Sequence, residues 1–156
     1  MKTLLILVGK TTDRHFQAGI NDYVERIGHY MPFDVVTIPE LKNTKNLTEE
    51  QQKTSEGELI LRQLQPSDTV VLLDEHGREF RSLEFARWLE QKRNTARRLV
   101  FIVGGPYGFS PAVYARANEQ LSISKMTFSH QMIRLIFTEQ VYRACTIIKG
   151  EPYHHE

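Results

Sequence analysis

Five short apolar runs, separated by stretches with helical periodicity, constrain this chain more than any other feature. They are Leu4–Val8, Val35–Ile38, Thr69–Leu73, Leu99–Val103 and Leu121–Ser124. Runs this short and this apolar suit strands buried on both faces, as in a parallel sheet. The spacing between them predicts helices over about Arg14–Tyr30, from Thr48 towards Leu64, from Ser82 onward, after Pro111, and from about His130 to Ile147. Thr48 and Gln51 have the spacing of a capping box, and Pro111 suits a first helical position. In the last helix Met132, Ile133, Ile136, Phe137, Val141 and Cys145 recur at helical spacing, so that face is core or interface. Strands alternating with helices argue for an α/β fold with a mostly parallel sheet. Residues 39–47, PELKNTKNL, form the clearest loop.

A chain of 156 residues can bury an ordinary core, so one domain over residues 1–156 is expected. The single Cys145 excludes an internal disulfide and points to a reducing, cytoplasmic compartment. The apolar run that begins MKTLLILVGK stops at Val8, too short for a secretory signal, and no later run is long enough to span a membrane. Net charge is +1, so no strong global field draws the chain to nucleic acid.

Residues 100–111, VFIVGGPYGFSP, carry an apolar strand straight into a glycine-rich turn. In open α/β sheets ligands sit beyond the carboxyl ends of strands, near a topological switch point. The turn is no phosphate cradle. It lacks the lysine of a P-loop, its glycines fall as GGxxG, and Pro106 removes a backbone donor. Glycines still let a flat ligand approach the backbone, and a purine or thioether fits better than a pyrophosphate. The alternative is a strand-to-helix turn that needs positive φ. Two other strand ends have the same character: TVVLLDEHG (69–77), read as a strand leaving through Asp74 and Glu75, and LSISKMTFSH (121–130). Three such ends can build one pocket from main-chain groups. Asp74 and Glu75 are also readable as ordinary solvated turn residues.

GGPYGFSP, then LSISKMTFSHQMIRLIFTEQVYRA, then the terminal GEPYHHE resemble the bacterial methyltransferases that modify N3 of a pseudouridine in large-subunit (23S) ribosomal RNA, a SPOUT-class family. The resemblance spans nearly the whole chain. It implies a SPOUT-type sheet flanked by helices with a C-terminal trefoil knot, and a homodimer. It also implies S-adenosyl-L-methionine as cofactor and ribosomal RNA, in the large subunit or whole ribosome, as substrate. Matched by motif, Leu73, Gly105, Gly108, Ile123, Ser124, Lys125, Met126, Thr127 and Phe128 would hold the cofactor. Lys125 stands where a small residue is expected, and its side chain is expected to face solvent or RNA. Knots are rare, and periodicity alone argues against one.

Methyl transfer from a sulfonium is mostly a matter of alignment, but an imide nitrogen must also lose its proton. Glu139 and Arg143, four apart on one helical face, fall in the family-like EQVYRA. The tail Pro152–Glu156 brings Tyr153 and His154, which can stack on a splayed base and exchange a proton. The resemblance marks Glu139, Arg143, Tyr153 and His154 as catalytic candidates. Against this stand a plain i,i+4 ion pair and a frayed terminus. His130 is open between facing the cofactor and belonging to the capping region behind Ser129, the latter favoured, and Tyr142 reads as a core or dimer-seam residue. Adjacent histidines without a carboxylate or cysteine cluster do not make a metal site, so no metal is expected. Arg14, Lys42, Lys45, Arg134 and Arg143 are the expected RNA-facing cations. Two rival readings are a nucleotide-binding regulator without a reaction and a ribosome-associated factor that has lost catalysis.

Overall fold

Side chains of the central strands alternate between two cores, which requires helices on both faces of the sheet. Leu5, Leu7, Val71, Leu99 and Phe101 point to one side, and Leu4, Ile6, Val70, Leu72, Val100 and Ile102 to the other. The computed structural model describes residues 2–155. In chain order the elements are β1 (Lys2–Val8), α1 (Arg14–Gly28), β2 (Phe33–Ile38), α2 (Glu49–Arg62), β3 (Thr69–Glu79), α3 (Ser82–Thr95), β4 (Arg98–Val103), α4 (Pro111–Arg116), β5 (Glu119–Ser122) and α5 (Met132–Lys149). A 3-10 turn at Thr44–Asn46 is the only regular structure in the 39–47 loop.

The sheet is parallel throughout, with strand order β2-β1-β4-β3-β5. α1, α3 and α5 supply Ile27, Phe85, Trp88, Phe137 and Val141 to one core. α2 supplies Ile60 and α4 Val113 to the other. Leu5, Ile6, Phe101 and Ile102 are fully buried, and each such side chain stabilises the fold by about 2 kcal/mol. Phe137 of α5 meets Phe101 of β4 edge-to-face at 4.8 Å, which seats the last helix on the sheet.

The helix boundaries follow local chemistry. Thr48 and Gln51 form the reciprocal capping box, with bonds of 3.1 and 2.9 Å. Pro111 opens α4, where the Ser110 hydroxyl accepts from the Val113 amide. α5 begins at Met132, later than its periodicity suggests, because residues 130–131 form a turn before it. Ser129 Oγ accepts from the Met132 amide at 3.0 Å, as a capping serine would. α5 ends at Gly150, whose φ of 77° turns the chain back; the Glu151 amide closes onto the Thr146 carbonyl at 2.9 Å.

β3 corrects the reading of Thr69–Leu73 as a strand that leaves into solvent. Leu73 and Arg78 both pair with Leu121 of β5, so Asp74–Gly77 bulge outward and the strand resumes. Gly77 makes this possible: a Cβ there would stand 2.6 Å from the backbone of Gln120 and Leu121. β5 in turn stops at Ser122, so Ile123 and Ser124 lie in the loop beyond it. Among the described residues no helix is long and apolar enough to cross a membrane.

Candidate active site

A cavity of about 580 Å³ opens at the mid-strand bulge of β3 and the carboxyl ends of β4 and β5. Its walls are the Leu73–His76 bulge, the Val103–Phe109 turn and the loop from Leu121 to His130, closed by Tyr114 of α4 and Ile133 of α5. The three segments singled out in the sequence therefore converge, although the first is a bulge within β3 and not a strand end. Leu73, Gly105, Gly108, Ile123, Ser124, Met126, Thr127 and Phe128 all line the cavity. Lys125 does not; its side chain is exposed and reaches towards Glu79 at 3.9 Å. His130, read as a capping residue, lines the wall.

The cavity is not at the switch point. β1 is followed by α1 on one face and β4 by α4 on the other, so the diverging crevice lies between β1 and β4. The carboxyl end of β1 there is taken by Arg134. Its guanidinium is fully buried and donates to the carbonyls of Val8 at 2.7 Å and Gly9 at 2.9 Å, and to the Thr11 hydroxyl at 3.0 Å. Burial pulls its pKa down, against the attraction of Glu40. Arg134 is thus no RNA contact, a correction to the sequence reading; Arg14, Lys42 and Lys45 are exposed.

Two glycines shape the turn. Gly108, at φ 81°, leaves open space where a side chain would stand, so the wall stays clear for a ligand. Gly105 closes its circuit, accepting from the Gly108 amide at 3.2 Å. A Cβ on Gly105 would meet the carboxylate of Glu56 at 3.1 Å. Glu56, on α2, is buried, and its pKa is raised by burial and by Glu40, against a bond from Gln52.

The bulge is held from behind. Asp74 accepts from the Tyr114 hydroxyl, from the His76 amide at 2.8 Å and lies 3.2 Å from the His76 ring. Burial pushes the Asp74 carboxyl up, but these donors outweigh it and hold it below the ordinary value. Tyr114 is pushed up to about 12 by burial and by Asp74. Thr127 donates to Glu75 at 3.2 Å, linking two walls of the mouth. The Asp74–Tyr114 pair had no signal in the sequence, since its members are 40 residues apart.

The four catalytic candidates come together away from this cavity. Glu139 Oε1 accepts from Arg143 at 2.6 Å and from the Tyr153 hydroxyl at 2.9 Å. Arg143 also meets His154 Nδ1 at 2.9 Å, and its guanidinium lies 4.9 Å from the Tyr153 ring centroid. A guanidinium only donates, so Nδ1 is the acceptor. Tyr153 packs edge-to-face on Tyr142 at 4.7 Å. Burial, then its bond to Glu139, pushes the Tyr153 hydroxyl well above its usual range. Tyr153 and His154 are therefore docked on α5, not frayed. None of the four lines the cavity. Ile133 sits in the cavity wall, and Glu139 and Arg143 follow it along the same helix by roughly 9 and 15 Å.

The sequence matches the family model described as "Predicted SPOUT methyltransferase" over residues 1–154. The chain belongs to the SPOUT methyltransferase family. It is 66% identical to a protein of Bacteroides fragilis named "Ribosomal RNA large subunit methyltransferase H", the match covering 100% of both chains. Proteins of the same name from Phocaeicola vulgatus and Porphyromonas gingivalis are 64% and 54% identical, again over 100% of each chain. Family membership and a cavity built at strand ends from turns and glycine thus meet in one α/β sheet. Among the described residues, no group of His, Cys, Asp and Glu is arranged to hold a metal ion.

Proposed function

We propose that the protein transfers a methyl group from S-adenosylmethionine to N3 of a pseudouridine in large-subunit ribosomal RNA, on the assembled ribosome in the cytoplasm. The observation that carries this reading is the cavity itself. It is bounded by turns carrying both apolar and polar side chains, Asp74 and Glu75 among them, and neither lysine nor arginine lines it. Its volume falls in the range of small-ligand sites, and Gly108 leaves its wall open. These walls fit a neutral purine with a cationic sulfonium and offer nothing to a pyrophosphate. Leu73, Gly105, Gly108 and the Ile123–Phe128 loop, Lys125 included, are proposed to hold the cofactor, largely through main-chain groups. When bound, the cofactor supplies an electrophilic methyl.

The rest is the work of this chain. Glu139 and Arg143 are proposed to fix Tyr153 and His154, which present the acceptor base. As the sulfonium S–C bond breaks and the new N–C bond forms, the N3 proton leaves to water and the cofactor leaves as a neutral thioether. Because these residues stand off the cavity of their own chain, the reading includes a homodimer in which one copy's tail serves the other's cavity. A C-terminal trefoil knot within a single domain over residues 1–156 is also part of it. The chain path supports the knot: β5 is an edge strand, yet Gln131, just before α5, bonds the turn after β1 at Lys10 and Thr12. Exposed Arg14, Lys42 and Lys45 are proposed to meet phosphates.

The test is incorporation of labelled methyl into ribosomes that lack the modification, with the product nucleoside identified by mass spectrometry. Label at N3 of a large-subunit pseudouridine supports the reading. Saturable cofactor binding without label in that RNA removes the catalytic part, and no cofactor binding removes all of it.

A further inference from the structure

Asp74 is a charged wall residue for which methyl transfer itself has no evident use. Its side chain is only 9% exposed and lines the cavity. The Tyr114 hydroxyl and the His76 amide fix its two oxygens in place. Its charge has no permanent cation to answer it in the cavity, because neither lysine nor arginine lines the wall. The His76 ring that faces it is 82% exposed, so water screens that partner. Glu75, the other carboxylate of the wall, is half exposed and engaged by Thr127.

A preorganised anion on a partly desolvated wall acts at a distance through charge alone. The donors that hold Asp74 ionised also make it a poor base, so proton transfer is not its task. The methyl donor and its product differ in one respect that such a group can sense: the donor is a sulfonium cation and the product a neutral thioether. We infer that Asp74 is a specificity-determining residue that makes the cavity favour the cationic donor over the demethylated product. This inference rests on the cofactor reading proposed above. It gives turnover a direction at the cofactor site, since loss of the methyl group removes the charge that Asp74 attracts.

Titration calorimetry with S-adenosylmethionine and S-adenosylhomocysteine, at low and high salt, tests it on the full chain and on Asp74→Asn. The wild type is expected to prefer the donor, and because the wall is partly desolvated the preference should change little as salt rises. Asp74→Asn keeps the shape and an acceptor oxygen; it is expected to cut the donor-to-product affinity ratio about tenfold while changing product affinity less than about twofold. Asp74→Glu is expected to retain most of the ratio. Equal weakening of both ligands by Asp74→Asn, or an unchanged ratio, overturns the inference and leaves the cofactor reading standing. Failure of the wild type to bind either ligand overturns both. Should Asp74→Asn not fold, the donor-to-product ratio of the wild type decides alone, and equal affinity for the two ligands overturns the inference.

Discussion

Tyr153 donates to Glu139 across 2.9 Å, and this bond holds the segment around Tyr153 against α5. Arg143 shares the same carboxylate oxygen and reaches His154 with its other terminal nitrogen. With Gln140 donating to Oε2 at 3.0 Å, both oxygens of Glu139 are engaged, which suits a residue that holds others in place.

Tyr153→Phe keeps the ring on Tyr142 and removes only the hydroxyl. Cofactor affinity by calorimetry is expected to stay within about twofold. Methyl incorporation into ribosomes should fall about tenfold or more, as loosened positioning does. An equal loss of cofactor affinity would place Tyr153 in the cofactor site instead.

At Gly105 a side chain is directed towards Glu56. Gly105→Val is therefore expected to weaken cofactor binding by displacing the turn against α2. Adding Glu56→Ala should restore part of the affinity, because it removes the obstacle. If the double variant binds no better than Gly105→Val, the side chain blocks the ligand directly.

Gly77→Ala drives a methyl group into the backbone of β5 at 2.6 Å. The bulge cannot relax without breaking the β3–β5 pairing. Urea unfolding should show a loss of about 2–3 kcal/mol, typical of overpacking.

Replacing Arg134 by Ala leaves the Val8 and Gly9 carbonyls without their donor. Unfolding should show a loss of about 3 kcal/mol or more, and Arg134→Lys should recover less than half because it lacks the fork. The salt dependence of ribosome binding should be unchanged. A lower slope with intact stability would return Arg134 to the RNA surface.

Asp68, whose side chain is inaccessible, pairs with Arg98 at 2.6 Å. Burial raises its pKa, but Arg98 and the Gln65 amide outweigh burial and set it below the ordinary value. A depressed carboxyl stabilises above its unfolded pKa of about 3.9 and loses that contribution as pH falls through the folded value. The wild type should exceed Asp68→Asn by about 2 kcal/mol from pH 7 to 5, and the gap should close progressively below about pH 4.

The strands were legible because Leu4–Val8 and Leu99–Val103 are short and apolar on both faces, a pattern that suits a covered parallel sheet. Thr48, Gln51 and Pro111 announced their helix starts through local bonds. What stayed hidden depended on distant partners. The continuation of β3 past Leu73 hinges on Gly77 meeting the backbone of β5. Burial of Arg134 contradicts the usual fate of arginine and is explained only by carbonyls more than a hundred residues earlier. The cavity walls were legible by motif, whereas Asp74 and Tyr114 were not seen as partners. The tail sequence alone could not choose between fraying and docking; Glu139, Arg143 and Tyr142 make that choice.

α5 has one further effect, on what kind of change the gene can tolerate. It is a continuous rod that carries Ile133 at one end and the residues gripping the tail farther along. A substitution on its surface leaves that spacing alone. Insertion or deletion of a single residue between Ile133 and Glu139 would slide the far half by about 1.5 Å and swing it by about 100°. Length variation is therefore expected in the 39–47 loop and not in this rod, whose residue count serves as the molecule's ruler.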